Sequence, residues 1–225
     1  VDGLRDVDVS LTTRELADMI RAAGIDFNNL PDENPDQLMG EYTGAGVIFG
    51  ATGGVMEAAL RTAADILTGT DVQDIEYHAV RDLRGVKEAS VVLPINGVDT
   101  EIKIAVAHTV LNAAKVLEAV RSGEKEYHFI EVMACPGGCV HGGGQPIVSA
   151  KDRLTLNPHA LRAQALYSED ERQTLRKSHH NPEIIQIYKE FLGEPNSELS
   201  HKLLHTHYYQ RGYYPQDKKE EVSEN

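Results

Sequence analysis

The sequence predicts an α/β fold followed by a helical appendage, and three observations carry that expectation. Helix-period and strand-period segments alternate between residues 12 and 133. Two strand-like runs flank Asn96-Gly97, a pair that favours a tight hairpin turn. From about Asn157 the β-branched residues thin out and helical patterns follow one another. The expected core is therefore a parallel-type sheet flanked by helices, with one β-hairpin.

Each element has its own signal. Thr12, with Glu15 three residues on, is a capping box; Leu16, Met19, Ile20 and Ala23 continue at helical spacing to a stop at Gly24. Residues 28–40, rich in Asn, Pro, Asp and Glu, read as a surface loop. Gly40, Gly44, Gly46, Gly50, Gly53 and Gly54 surround Val47, Ile48 and Phe49, a glycine density that lets backbone approach another group closely. Val55, Met56, Ala59, Leu60, Ala63, Ile66 and Leu67 then mark one face of a helix ending near Gly69. Ile75–Val80 is a short candidate strand. Ala89–Ile95 and Val98–Val106 are the hairpin strands, Thr109–Val120 a helix ended by Ser122-Gly123, and Tyr127–Met133 a buried strand running into Cys135. Further helices are expected over 158–167, 169–177, 182–192 and 197–207, and a charged, disordered tail over Asp217–Asn225.

Composition narrows the function classes. The 225 residues are 41% hydrophobic, enough for one core plus an appendage. A formal net charge of −13 disfavours nucleic acid and anionic membrane surfaces, which reward Lys/Arg patches. No apolar stretch approaches the ~20 residues of a membrane span. No basic, apolar leader opens the chain, and Val1 stands where Met would, so we expect a cytoplasmic protein and a piece of something longer. Only Cys135 and Cys139 carry thiols, too few for a disulfide scaffold.

The two cysteines lie in Glu131-Val132-Met133-Ala134-Cys135-Pro136-Gly137-Gly138-Cys139-Val140-His141-Gly142-Gly143-Gly144-Gln145-Pro146. Here a strand delivers Cys135, Pro136 and two glycines form a turn, and Cys139 follows four residues on, so both thiolates can face one object. Soft thiolates suit zinc, copper(I) or an iron–sulfur cluster. Zinc lacks a second ligand pair at finger-like spacing; a redox dithiol more often has two intervening residues; an inert buried pair stays open. Glu131 also reads as a structural hydrogen-bond acceptor, and Phe49, Val55 and Met133 as ordinary core residues. His201 and His205 form an i, i+4 pair, with His207 beyond, and lack a placed acidic partner; His179-His180 precede a helix start and receive no chemistry. Gly44-Ala45-Gly46 opens like a dinucleotide fingerprint, but Phe49 stands where the third glycine belongs.

The run Glu131–Pro146 resembles the third signature of the [FeFe]-hydrogenase active-site domain. Gly40-Glu41-Tyr42-Thr43-Gly44-Ala45-Gly46, continuing through Phe49-Gly50-Ala51-Thr52-Gly53-Gly54-Val55-Met56-Glu57-Ala58, resembles the glycine loop and helix of the same domain. About Arg172 to Tyr209 resembles the small-subunit helical element, and the overall style is that of the NADP-reducing type.

The resemblance implies one lobe of the iron-only hydrogenase H-cluster domain over 1–155, a small-subunit-like element over 156–215 and a tail over 216–225. It implies an H-cluster, a [4Fe-4S] cluster joined to a two-iron subcluster, with Cys135 ligating the cubane and Cys139 ligating it and bridging to the two-iron unit. Phe49, Gly50, Val55 and Met133 would line the pocket, and H2 would be cleaved reversibly. Two further ligand cysteines, a proton-relay cysteine and a lysine belong to signatures preceding Val1. The implied partners are therefore the N-terminal portion of the catalytic subunit and electron-transfer subunits or a ferredoxin, with an NAD(P)-linked route among them. A hydrogenase-like iron–sulfur assembly factor or sensor is the alternative.

Overall fold

The protein, as a computed structural model, is described over residues 7–34, 36, 39–73, 76–81, 84–95 and 97–205. It divides into two compact units, Val1–Glu183 and Ile184–Asn225. In chain order the α-helices are α1 (Thr13–Ala22), α2 (Gly44–Val47), α3 (Gly54–Thr68), α4 (Val110–Arg121), α5 (Ala150–Arg153), α6 (Pro158–Arg172), α7 (Pro182–Ile187) and α8 (Glu198–Leu204). The strands are β1 (Val86–Ile95), β2 (Val98–His108) and β3 (Phe129–Met133).

The first unit is built on a three-stranded sheet of order β1-β2-β3. The strands β1 and β2 form the expected hairpin, antiparallel from Ile95 opposite Val98 to Val86 opposite Ala107. Gly97 takes the turn with φ 76°, while Asn96 lies outside the described residues. Pro94 is tolerated because β1 is an edge strand. After the crossover through α4, β3 runs parallel to β2, with Ile104 opposite Phe129 and His108 opposite Met133. The sheet is thus mixed, with a single parallel pair.

Strand alternation distributes the core over both faces of this sheet. Ile104 and Val106 join Met56 and Leu60 of α3, with Val80. The intervening Ala105 and Ala107 face Ala113 and Val116 of α4. A third cluster places Ile48 and Ala51, from the glycine-rich loop, against Ala163, Leu166 and Tyr167 of α6.

Several local expectations fail for identifiable reasons. Within Ile75–Val80, whose Ile75 is outside the described residues, His78–Val80 forms a 3-10 turn rather than a strand. The buried Lys87 ammonium donates to the Val80 carbonyl at 2.8 Å, which removes that acceptor from any ladder. The helix expected at 169–177 does not stand apart: α6 runs unbroken to Arg172, and an extended segment follows. There the Leu175 and Arg176 carbonyls accept from the Gly44 and Ala45 amides instead of from a helix. In the second unit, the helix expected to reach residue 192 becomes a π-helical turn over Tyr188–Leu192, closed by the Gly193 amide on the Tyr188 carbonyl at 2.7 Å. Ser197 caps α8, which ends at Leu204 with His205 already extended, while residues 206–207 of the expected helix and the tail from Asp217 fall outside the described residues.

A buried ionic cluster fastens α6 to α3. Arg61 donates to both oxygens of Asp170 at 2.7 Å and to Glu57 at 2.7 Å, and all three side chains are fully buried. Arg176 reaches Asp170 at 2.7 Å and Arg81 reaches Glu57 at 2.7 Å. Burial alone would raise the Asp170 carboxyl, but Arg61 and Arg176 outweigh it and hold it below the ordinary value of 3.8. A depressed folded pKa contributes stability that is full above the unfolded value and lost as pH falls through the folded one. Asp170→Asn is therefore destabilised by about 3 kcal/mol at neutral pH, because two arginines lose the buried counter-ion they share. Urea midpoints should show that deficit narrowing as pH drops below the ordinary carboxyl value of 3.8 toward the depressed folded value.

Candidate functional site

β3 ends at Met133, and Cys135 follows after one residue. The Gly138 amide closes the turn on the Cys135 carbonyl at 3.1 Å, and Cys139–His141 forms a 3-10 turn. Gly138 has φ 99°, and a Cβ there would sit 2.6 Å from the Thr52 amide nitrogen and 2.7 Å from the Gly50 carbonyl oxygen. Only glycine allows the cysteine turn to lie this close to the loop at residues 50–52. The contact is fixed by the Thr52 amide, which donates to the Gly137 carbonyl at 3.1 Å.

Glu131 fastens the same two segments from below. It is 6% exposed, and its carboxylate accepts from the Gly53 amide and the Met56 amide, each at 2.7 Å. These are N-terminal amides of α3, which lack partners within the helix and favour a negative charge. Lys87 completes the seat by donating to the Thr52 carbonyl at 2.9 Å.

The predicted site residues occupy this seam. Cys135 is half-buried and Cys139 exposed, and neither is in a disulfide. Met133, Gly50 and Val55 are half-buried, and Phe49 is 45% exposed. Their neighbours Ile48, Ala51, Met56, Gly137, Gly138 and Val140 are buried. Along both segments, then, buried residues anchor the backbone while the predicted site side chains stay accessible. Two unpaired soft donors on a glycine turn pressed to a second glycine loop are the donor chemistry that an iron–sulfur cluster takes.

Some neighbours were not visible in the sequence. His141 stacks on His159 of α6, ring centroids 3.4 Å apart. Burial first, and nearby Arg162 among the further causes, push both imidazoles below the usual 6.5. Arg162 donates to the Val140 and Pro146 carbonyls, and Arg14 of α1 reaches the Gly143 carbonyl at 2.8 Å. Elsewhere, Asp65, His179 and His180 bring ligand-type atoms within 4.8 Å of one another. The Lys177 ammonium, at 2.7 and 2.9 Å from the Asp65 oxygens, already fills the cationic position. His201 and His205 stack at 4.2 Å on the exposed surface of the second unit.

Residues 1–143 match the family model for the iron-only hydrogenase large subunit, C-terminal domain, and residues 159–211 that for the iron hydrogenase small subunit. The chain belongs to the iron-only hydrogenase family. It is 49% identical over 207 residues to iron hydrogenase 1 of Clostridium pasteurianum, covering 92% of this chain and 35% of that protein. It is 50% identical over 211 residues to the NADP-reducing hydrogenase subunit HndD of Solidesulfovibrio fructosivorans, covering 94% and 34%. Identity falls to 30% over 211 residues with the cytosolic iron-sulfur assembly component 3 of Pongo abelii, covering 91% and 42%. A solved variant of the [FeFe]-hydrogenase HydA1 from Chlamydomonas reinhardtii superposes with TM-score 0.72 and 39% identity, covering 92% of this chain and 57% of that one. The chain therefore spans about a third of the length of these two hydrogenases. Among the described residues, no helix of this hydrogenase-family chain is long and apolar enough to cross a membrane.

Glu131→Ala strands two buried amides and should lower stability by about 3 kcal/mol, read from urea denaturation. Glu131→Gln, which can satisfy only one of the two, should fall between it and the parent.

Proposed function

We propose that this chain is the part of an [FeFe]-hydrogenase that supplies two thiolates to the H-cluster, where H2 is reversibly converted to two protons and two electrons. The observation that carries this reading is the Cys135–Cys139 turn, with both thiols unpaired and the turn locked onto the glycine loop. When bound, the [4Fe-4S] cluster and its two-iron partner supply the redox chemistry of H2 cleavage. Cys135 would ligate the cubane; Cys139 would ligate it and bridge to the two-iron unit. Met133, Phe49, Gly50 and Val55 would form the wall that excludes water, their partial exposure leaving their surfaces available to it. Glu131 and Lys87 hold the backbone on which this wall rests.

A cubane takes four protein ligands, and this chain has two cysteines. The remaining ligands and the proton relay are assigned to polypeptide outside these 225 residues, in keeping with the share of its relatives that the chain covers. The electrons would pass to electron-transfer subunits or a ferredoxin, with an NAD(P)-linked acceptor favoured by the likeness to HndD. We assign residues 1–155 to the cluster lobe, 156–215 to the small-subunit-like element and 216–225 to a tail, and place the protein in the cytoplasm. The competing reading, a non-catalytic assembly or sensory protein, rests on the 30% identity to the assembly component, against 49–50% to hydrogenases.

The test uses the complete matured hydrogenase containing this chain. Infrared bands from CO and cyanide ligands should be present, and H2 oxidation should fall by more than ~100-fold in Cys139→Ala. Cys135→Ala should lose the cubane signal in electron paramagnetic resonance. Matured protein without CO and cyanide bands, or bands and turnover indifferent to Cys139→Ala, would sink the assignment.

A further inference from the structure

We infer that α6, in the small-subunit-like part of the chain, is a structural wall of the cluster site, and that Arg162 on it is a positioning residue for the loop that follows Cys139. The inference rests on the reading that Cys135 and Cys139 hold the cluster.

The loop from Val140 to Pro146 contains Gly142, Gly143 and Gly144 in succession. Three adjacent glycines give it more backbone freedom than any other stretch near the cysteines, and ordering it carries the largest entropy cost. One side chain spans it. Arg162 Nη1 donates to the Val140 carbonyl at 3.1 Å and Nη2 to the Pro146 carbonyl at 2.8 Å. The planar guanidinium presents its N–H groups at fixed separation, so it sets the distance between two carbonyls that bracket the glycines. A lysine ammonium could reach these carbonyls but could not fix their spacing.

The rest of α6 follows the same line. His159, Arg162, Leu166 and Asp170 are three to four residues apart and share one helix face. His159 Nδ1 lies 2.7 Å from where a Cβ on Gly137 would be, and Leu166 Cδ1 lies 2.7 Å from the same point on Gly50. Asp170 crowds Gly44 in the same way and is held by Arg61. Successive turns of α6 thus press on the cysteine turn, the loop after it, and the glycine loop. A mere domain tether would have no reason to contact all three, two of them at glycine positions and the third through two backbone carbonyls.

The experiment compares Arg162→Gln and Arg162→Lys with Arg172→Gln in the complete matured hydrogenase. Arg172 is on the same helix, largely exposed, and 3.9 Å from Glu169. The readouts are iron per polypeptide and the electron paramagnetic resonance of the reduced cubane, with Cys135→Ala as the reference for loss of the cluster. Arg162→Gln should lower cubane occupancy by about 10-fold and alter its spectrum, while Arg162→Lys recovers part of the occupancy and Arg172→Gln behaves as the parent. Wild-type occupancy and spectrum in Arg162→Lys would overturn the role of the guanidinium fork, even if Arg162→Gln failed to fold. The same values in a folded Arg162→Gln would overturn the inference entirely. If the parent holds no cubane, so that Cys135→Ala changes nothing, it is the proposed function that has failed, and this inference with it.

Discussion

Glu131 is the point on which the geometry of the site turns. Its strand carries Cys135, and its carboxylate accepts from two amides at the start of α3, so strand and helix are referenced to each other through one buried charge. Water has been removed from both sides of that interaction, which leaves the anion and the amide donors dependent on each other. The cysteine turn and the glycine loop inherit their relative position from this pairing. The Thr52–Gly137 hydrogen bond then fixes the last few ångströms.

A second constraint comes from the ionic cluster of Arg61, Glu57, Asp170, Arg81 and Arg176. Buried ion pairs add little net stability over an apolar filling, but they tolerate very few alternative arrangements. Here they specify how α6 docks on α3. Because α6 also lines the cysteine turn and the glycine loop, the docking angle set by Arg61 and Asp170 reaches the site through Leu166 and Arg162. The parts matching two separate family models, residues 1–143 and 159–211, meet in this interface. Residues up to Glu183 belong to one compact unit, which follows from where the buried charges and Tyr167 lie.

Local signals translated well wherever one residue's own chemistry decides the conformation. The Thr12–Glu15 capping box forms with both of its hydrogen bonds, and Gly97 takes the positive φ expected between the hairpin strands. Signals failed where a distant partner took the backbone. The Val80 carbonyl goes to Lys87, and the Leu175 and Arg176 carbonyls go to the glycine loop, so neither stretch kept the structure its own residues favour. Arg162 was invisible for a similar reason: an arginine in a polar helix reads as solvated until its two carbonyl partners are known.

The sequence by itself determined α1, α3, α4, the three strands with their hairpin, and the glycine turn between the cysteines, because capping, turn formation and side-chain periodicity depend on residues close together in the chain. The tertiary structure alone decided that Glu131 caps α3, that Lys87 serves Thr52 and Val80, and that α6 stands against both glycine segments. Most of those pairings join positions far apart in the chain, 35 residues for Lys87–Thr52, 78 for Glu131–Gly53 and 109 for Arg61–Asp170, and only the burial of the whole fold selects them.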